Sequence, residues 1–141
     1  MAEKTGSCLC GEVKFTADLK TSSVGACHCE MCRQFAAGPF FSIDAGDSFR
    51  VTDGADKLGV YKSSQWAERG FCTACGSSLF WRLHDGTMAQ ASVNAFADLA
   101  DLKLDHEVYI DAKPDYYSFS EKTHQMTEAD VMKMVAEGKG L

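Results

Sequence analysis

The sequence predicts a mainly β fold of antiparallel sheets around metal sites, closed by one short C-terminal helix. Three observations predict it. Short segments rich in Val, Phe, Tyr, Thr and Ser recur between Gly and Asp punctuation, as strands do. Only the stretch TEADVMKMVAEG, residues 127–138, carries helix start and stop signals. Seven cysteines fall into three tight clusters, a density better explained by metal ligation than by disulfides. At 141 residues the chain is long enough to bury a hydrophobic core without covalent staples, and a single domain spanning 1–141 is expected.

The first predicted strand is GEVKFTA, residues 11–17, where Val13 and Phe15 alternate with Glu12, Lys14 and Thr16 in the period-two pattern of a half-buried strand. PFFSIDA (39–45), SFRVTDG (48–54) and LGVYKSS (58–64) follow. GSSLFWRL (76–83), MAQASVNAF (88–96) and HEVYIDA (106–112) complete the set. Asp53-Gly54 and Asp85-Gly86 are turn dipeptides at hairpin-like distance from apolar segments, so antiparallel pairing is expected. In the terminal helix, Thr127 is the N-cap, Glu128 and Asp130 lie in the first turn where acidic groups favour the dipole, and Gly138 stops it.

Composition excludes several function classes. The formal charge is −6, and no block of basic residues appears, so no nucleic-acid partner is expected. The N-terminus MAEKTGSCLC has neither an apolar core segment nor a cleavage-like site, and no apolar run approaches the roughly 18 residues of a membrane span. A cytoplasmic protein with no membrane role is the expectation.

The cysteine clusters are Cys8-Leu9-Cys10, Cys27-His28-Cys29-Glu30-Met31-Cys32 and Cys72-Thr73-Ala74-Cys75. Tetrahedral zinc binds sulfur at about 2.3 Å and needs close ligand pairs, which C-x-C and C-x-x-C supply on tight turns. Cys8, Cys10, Cys72 and Cys75 make one closed set of four. Cys27, Cys29 and Cys32 then make a set of three, and three protein ligands with one free position is the arrangement of a catalytic zinc. Spacing leaves a second partition open, in which Cys29 and Cys32 join Cys72 and Cys75 and release Cys8 and Cys10. An iron–sulfur cluster and a purely hydrophobic role for buried thiols are further alternatives. Gly11, Gly70 and Gly76 lie beside the clusters, where knuckles need residues free to take positive φ.

GSCLCGEVKF, CHCEMCRQFAAGPFF and RGFCTACGSSLFWR resemble, in order and spacing, the motifs of the glutathione-dependent formaldehyde-activating enzyme family, which includes the centromere protein V group. HEVYIDAKPDYY resembles the family's late strand, so the likeness spans about residues 5–120. The resemblance implies a β-tent fold, a structural zinc on Cys8, Cys10, Cys72 and Cys75, and a second zinc on Cys27, Cys29 and Cys32. It also implies a carbon–sulfur lyase or synthase joining glutathione and formaldehyde in S-(hydroxymethyl)glutathione. Two positions depart from the family pattern: Arg33 is followed by Gln34 where many members have two basic residues, and Glu107 stands where a His is common.

A free thiol is only a few per cent ionised at neutral pH, so a metal that deprotonates an incoming thiol removes a limit on its attack on an aldehyde. A Cys₃ shell is anionic and favours carrying a thiolate over activating water. Arg33 is a candidate for a substrate carboxylate, and His28, between two ligands, for a supporting hydrogen bond. Arg69, Arg82, Glu30, His84, His106, His124 and Asn94 are weaker polar candidates. Phe35, Phe40, Phe41 and Trp81 are candidate pocket walls or core. Two classes of function follow: a zinc enzyme acting on a small-molecule thiol such as glutathione, or a zinc-scaffolded binding module without catalysis.

Overall fold

The computed structural model describes residues 2–138, which form two compact units, each assembled from two separate lengths of chain. Residues 2–22 join 42–101 in the first unit, and residues 23–41 join 102–138 in the second. The predicted mainly β fold is what forms, with eleven strands and two α-helices among the described residues.

In the first unit, β1 (Ala2–Ser7), β2 (Lys14–Leu19) and β5 (Arg50–Asp53) make an antiparallel sheet in the order β1-β2-β5. β2 carries the expected alternation: Phe15, Ala17 and Leu19 are buried while their neighbours are not. Phe15 stacks on Phe49 at 4.7 Å and meets Phe96 edge-on at 5.3 Å. Burying one such ring contributes roughly 2–3 kcal/mol. Gly6 on β1 is a glycine because a Cβ there would stand 2.4 Å from the Phe15 ring.

A second antiparallel run in this unit follows the order β4-β9-β8-β7-β6, with β4 (Phe40–Gly46), β6 (Leu58–Lys62), β7 (Ala67–Cys72), β8 (Ser78–Leu83) and β9 (Ala89–Ser92). Asp85-Gly86 makes the β8–β9 hairpin turn as predicted. Asp53-Gly54 does not make a hairpin: it leads from β5 through a 3₁₀ turn at Ala55–Lys57 into β6, which belongs to the other sheet. Gly54 is left-handed, and a Cβ there would strike the Glu12 carbonyl at 1.9 Å.

The second unit departs from the antiparallel expectation. β3 (Ser23–Cys27), β10 (Lys103–Val108) and β11 (His124–Met126) pair in parallel, in the order β11-β10-β3. Their register sets Glu107 beside Ala26 and Gln125, and Val108 beside Cys27 and Met126. A short helix absent from the sequence expectation, α1 (Glu30–Ala36), follows β3 and ends where Ala37 turns left-handed before Gly38-Pro39. α2 (Glu128–Ala136) is the predicted terminal helix. Thr127 caps it through a reciprocal pair of bonds with Asp130, and Val131 packs on Val108 and Met126.

Candidate metal centres

The first cluster is built by two backbone knuckles in the first unit. After β1, Gly11 takes φ +81° and donates its N–H to the Cys8 carbonyl at 3.1 Å, while the Val13 N–H donates to Cys8 Sγ at 3.3 Å. After β7, Gly76 repeats that φ of +81° and donates to the Cys72 carbonyl at 2.8 Å. A Cβ would meet nothing within 4 Å at either glycine, so the positive φ alone selects the residue. Gly70 differs: its φ is ordinary, and it is a glycine because the Phe80 ring lies 2.1 Å from where its Cβ would stand.

Ser77 ties the knuckles together, since its hydroxyl accepts the Leu9 N–H at 2.9 Å and lies 3.2 Å from Cys75 Sγ. The four sulfurs of Cys8, Cys10, Cys72 and Cys75 lie within 4.8 Å of one another. Cys8 and Cys10 sulfurs are 3.6 Å apart, and those of Cys10 and Cys72 are 3.8 Å apart. Four sulfurs held at 2.3 Å by a tetrahedral ion stand about 3.8 Å apart, so the set fits zinc-like coordination.

Electrostatics point the same way. The Ser77 hydroxyl and nearby backbone N–H groups hold the Cys75 thiol down to about 5. At Cys10 a backbone bond from Glu12 lowers the thiol, but desolvation and the neighbouring sulfurs outweigh it and push it up to about 12. Without a cation, sulfurs this close cannot all ionise. The chemistry of the donor set therefore calls for a positive ion at its centre.

The second cluster sits in the second unit. Cys27 ends β3, Cys29 is the N-cap of α1, and Cys32 lies in its first turn. Cys29 Sγ accepts the Cys32 N–H at 3.3 Å, taking the place that a Ser or Asp oxygen fills in an ordinary cap. The three sulfurs lie within 4.8 Å of one another, and among the described residues no fourth Cys, His, Asp or Glu completes the group. The sulfurs of Cys29 and Cys32, with burial, push the Cys27 thiol strongly up, again the mark of a cluster that lacks its counter-charge.

His28 is turned away from coordination. It is fully buried, with Nδ1 2.7 Å from the Tyr117 hydroxyl and Nε2 2.7 Å from Glu107 Oε1. Glu107 is 3% exposed; burial raises its carboxyl, but bonds from Thr123 and His28 outweigh that and hold it below the usual range. An ionised Glu107 only accepts, so His28 donates Nε2–H to it. Both ring nitrogens are thus committed, and the His28 backbone is fixed as well. Its N–H donates to the Val108 carbonyl at 3.2 Å, and its carbonyl accepts from Arg33 Nε at 2.8 Å. Lys113 donates to the Pro114 and Tyr117 carbonyls and stands over the Tyr117 ring, and Phe119 packs against His28 and Phe41.

The structure brings together the seven predicted cysteines as four and three, which excludes the alternative partition, and it places His28 and Arg33 beside the trio. Phe35 meets Phe40 edge-on in the second unit, whereas Trp81 packs against Trp66 in the first. Arg82 and His84 pair with Glu68, His106 with Asp105, Arg69 is buried in β7, and Glu30, Asn94 and His124 are exposed. Tyr117, Thr123 and Lys113 were not singled out by sequence, and Glu107 was noted only as a departure from a pattern.

Residues 3–112 match the family model of the glutathione-dependent formaldehyde-activating enzyme. A Schizosaccharomyces pombe protein named an uncharacterized lyase is 34% identical over 139 residues, covering 97% of this chain and 100% of its own. The crystal structure of a Rhodobacter sphaeroides protein is similar in fold, with a TM-score of 0.58 and 23% identity over 66% of this chain and 87% of its own. Among the described residues no helix is long and apolar enough to cross a membrane.

Proposed function

The chain belongs to the glutathione-dependent formaldehyde-activating enzyme family, and on that premise we propose that it is a zinc-dependent carbon–sulfur lyase or synthase acting on glutathione or a related thiol adduct. S-(hydroxymethyl)glutathione, formed from glutathione and formaldehyde, is the substrate pair the family name suggests. The observation that carries the reading is the contrast in ligand number: four sulfurs in one cluster and three in the other. Two zinc ions per chain are proposed, the first structural and the second with one tetrahedral position left for substrate, within a single functional domain in the cytoplasm.

Zinc at Cys27, Cys29 and Cys32 would supply the deprotonation of an incoming thiol. The protein's own residues do the rest. Cys27, Cys29 and Cys32 set the position and negative charge of the shell. His28, held at both nitrogens, fixes the loop between the first two sulfurs, and Arg33 offers the remaining N–H groups of its guanidinium to a substrate carboxylate. A thiol sulfur held there would add to the aldehyde carbon as the C=O bond opens, with the proton given up by the thiol returned to that oxygen. In reverse the thiohemiacetal would return this proton to sulfur as it releases its carbonyl.

Calorimetric titration of glutathione into zinc-loaded protein tests the reading, with S-methylglutathione as control because methylation blocks thiolate ligation. Saturable binding that is lost with the control and in Cys32→Ser is expected. Equal binding of the two ligands, or binding unchanged in Cys32→Ser, would overturn it.

A further inference from the structure

β6 closes the order β4-β9-β8-β7-β6 in the first unit, and among the described residues no strand lies beyond it. Its outer edge is open. The Thr73 N–H donates to the Lys57 carbonyl at 2.8 Å, and hydrogen-bonded pairs alternate along an antiparallel ladder, so Gly59 and Tyr61 turn their backbone groups toward β7. Leu58, Val60 and Lys62 turn theirs outward. The Leu58 N–H is already given to the Ala55 carbonyl in the preceding 3₁₀ turn. The edge therefore offers an acceptor at Leu58, and a donor and an acceptor at each of Val60 and Lys62.

Neither proline nor bulge blunts this edge against strand-to-strand association, and Val60 and Tyr61 are 44% and 66% exposed on it. A two-fold axis through Val60 makes the edge its own complement. Set antiparallel to a second copy, Val60 exchanges both bonds with the other Val60, and each Lys62 N–H meets the other Leu58 carbonyl. The Lys62 carbonyl stays with water at the rim. Side chains agree with this register: Tyr61 of one copy falls opposite Gly59 of the other, beside the Phe71 ring that lies where a Cβ at Gly59 would stand. Charges agree as well. Lys57 falls opposite Ser63, and Lys62 opposite Leu58, two residues from the exposed Asp56 of the other copy, so no like charges meet.

We propose that this edge is a dimer interface, at which two copies of the chain join β6 to β6 antiparallel about Val60 and continue the sheet from one copy into the other. A row of backbone groups that is its own complement under a two-fold selects a second copy over a foreign strand. The contact is short, so the dimer should dissociate on dilution.

Sedimentation equilibrium of the zinc-loaded protein tests the proposal. Twice the chain mass of 15.4 kDa is expected at high concentration, falling to the single mass on dilution. Val60→Lys and Val60→Glu each set two like charges face to face at the axis and should weaken association by roughly tenfold or more. The side chain is exposed, so the melting temperature of the dilute protein should not change. Mixed in equal amounts, the two variants should recover the dimer, as only a two-fold at this residue requires. Hydrogen exchange of wild type reads the same contact without a variant: the Val60 and Lys62 amides should slow at high concentration and quicken on dilution. A wild type that stays monomeric up to about 1 mM would overturn the proposal. So would a dimer that both variants keep, or one that their mixture fails to restore. Amides of Val60 and Lys62 protected equally at every concentration would put a segment of the same chain on the edge and overturn it too.

Discussion

The two cysteine clusters solve one electrostatic problem in different ways. In the first, short knuckles with glycine at φ +81° present four sulfurs from two hairpin-like turns, and Ser77 locks one knuckle to the other. In the second, a strand end and the first turn of α1 present three, and the fixing residues are a buried His28, Glu107 and Tyr117 rather than a fourth sulfur. A closed shell holds a fold together, whereas an open shell needs its geometry held from outside so that the free position stays free. His28 and Glu107 are buried beside the trio, whereas Ser77, beside the quartet, is half-buried.

The largest expected effect breaks the first cluster. Cys72→Ser removes a fully buried thiol of the quartet, and because binding of the proposed metal there would be coupled to folding, the melting temperature should fall by roughly 20 °C or more, or the protein should fail to fold. Cys32→Ser sharpens the contrast: thiol affinity should drop by roughly 100-fold or more in calorimetry, with a smaller fall in melting temperature. Equal thermal losses in the two variants would erase the distinction between frame and site.

Glu107→Gln tests the support of the second cluster. Leaving His28 without its carboxylate should cost about 1–3 kcal/mol in chemical denaturation. The sign of the pH dependence follows from the lowered carboxyl. Its contribution is fully present above the unfolded value of about 4.3 and is lost as pH falls through the lower folded value. The stability gap between wild type and Glu107→Gln should therefore be widest near pH 7 and close toward pH 3. The smallest effect belongs to Ser77→Ala, about 1 kcal/mol, from losing the bond to Leu9 and the contact with Cys75.

What the sequence disclosed tracks how local each signal is. The quartet was legible because C-x-C and C-x-x-C each place two ligands on one turn, and β2 was legible because Val13, Phe15 and Ala17 keep a strict alternation. β7 was hidden because its buried positions include Arg69 and Gly70, which break an apolar pattern. α1 was hidden because its cap is a cysteine, a residue ordinarily outside the set of N-caps. The His28–Glu107 contact joins residues 79 apart, and the left-handed turn at Tyr109 leaves no mark in residue type. Parallel pairing of β3, β10 and β11 likewise depends on chain crossings that strand composition does not encode.

The most direct test of an open site beside a closed one is cobalt substitution followed by thiol titration, read in the sulfur-to-metal charge-transfer bands. Two cobalt ions per chain are expected, with a single half of the spectrum shifting on added glutathione and that half missing in Cys32→Ser. A spectrum indifferent to thiols at both ions, or a response that survives in Cys32→Ser, would contradict the account.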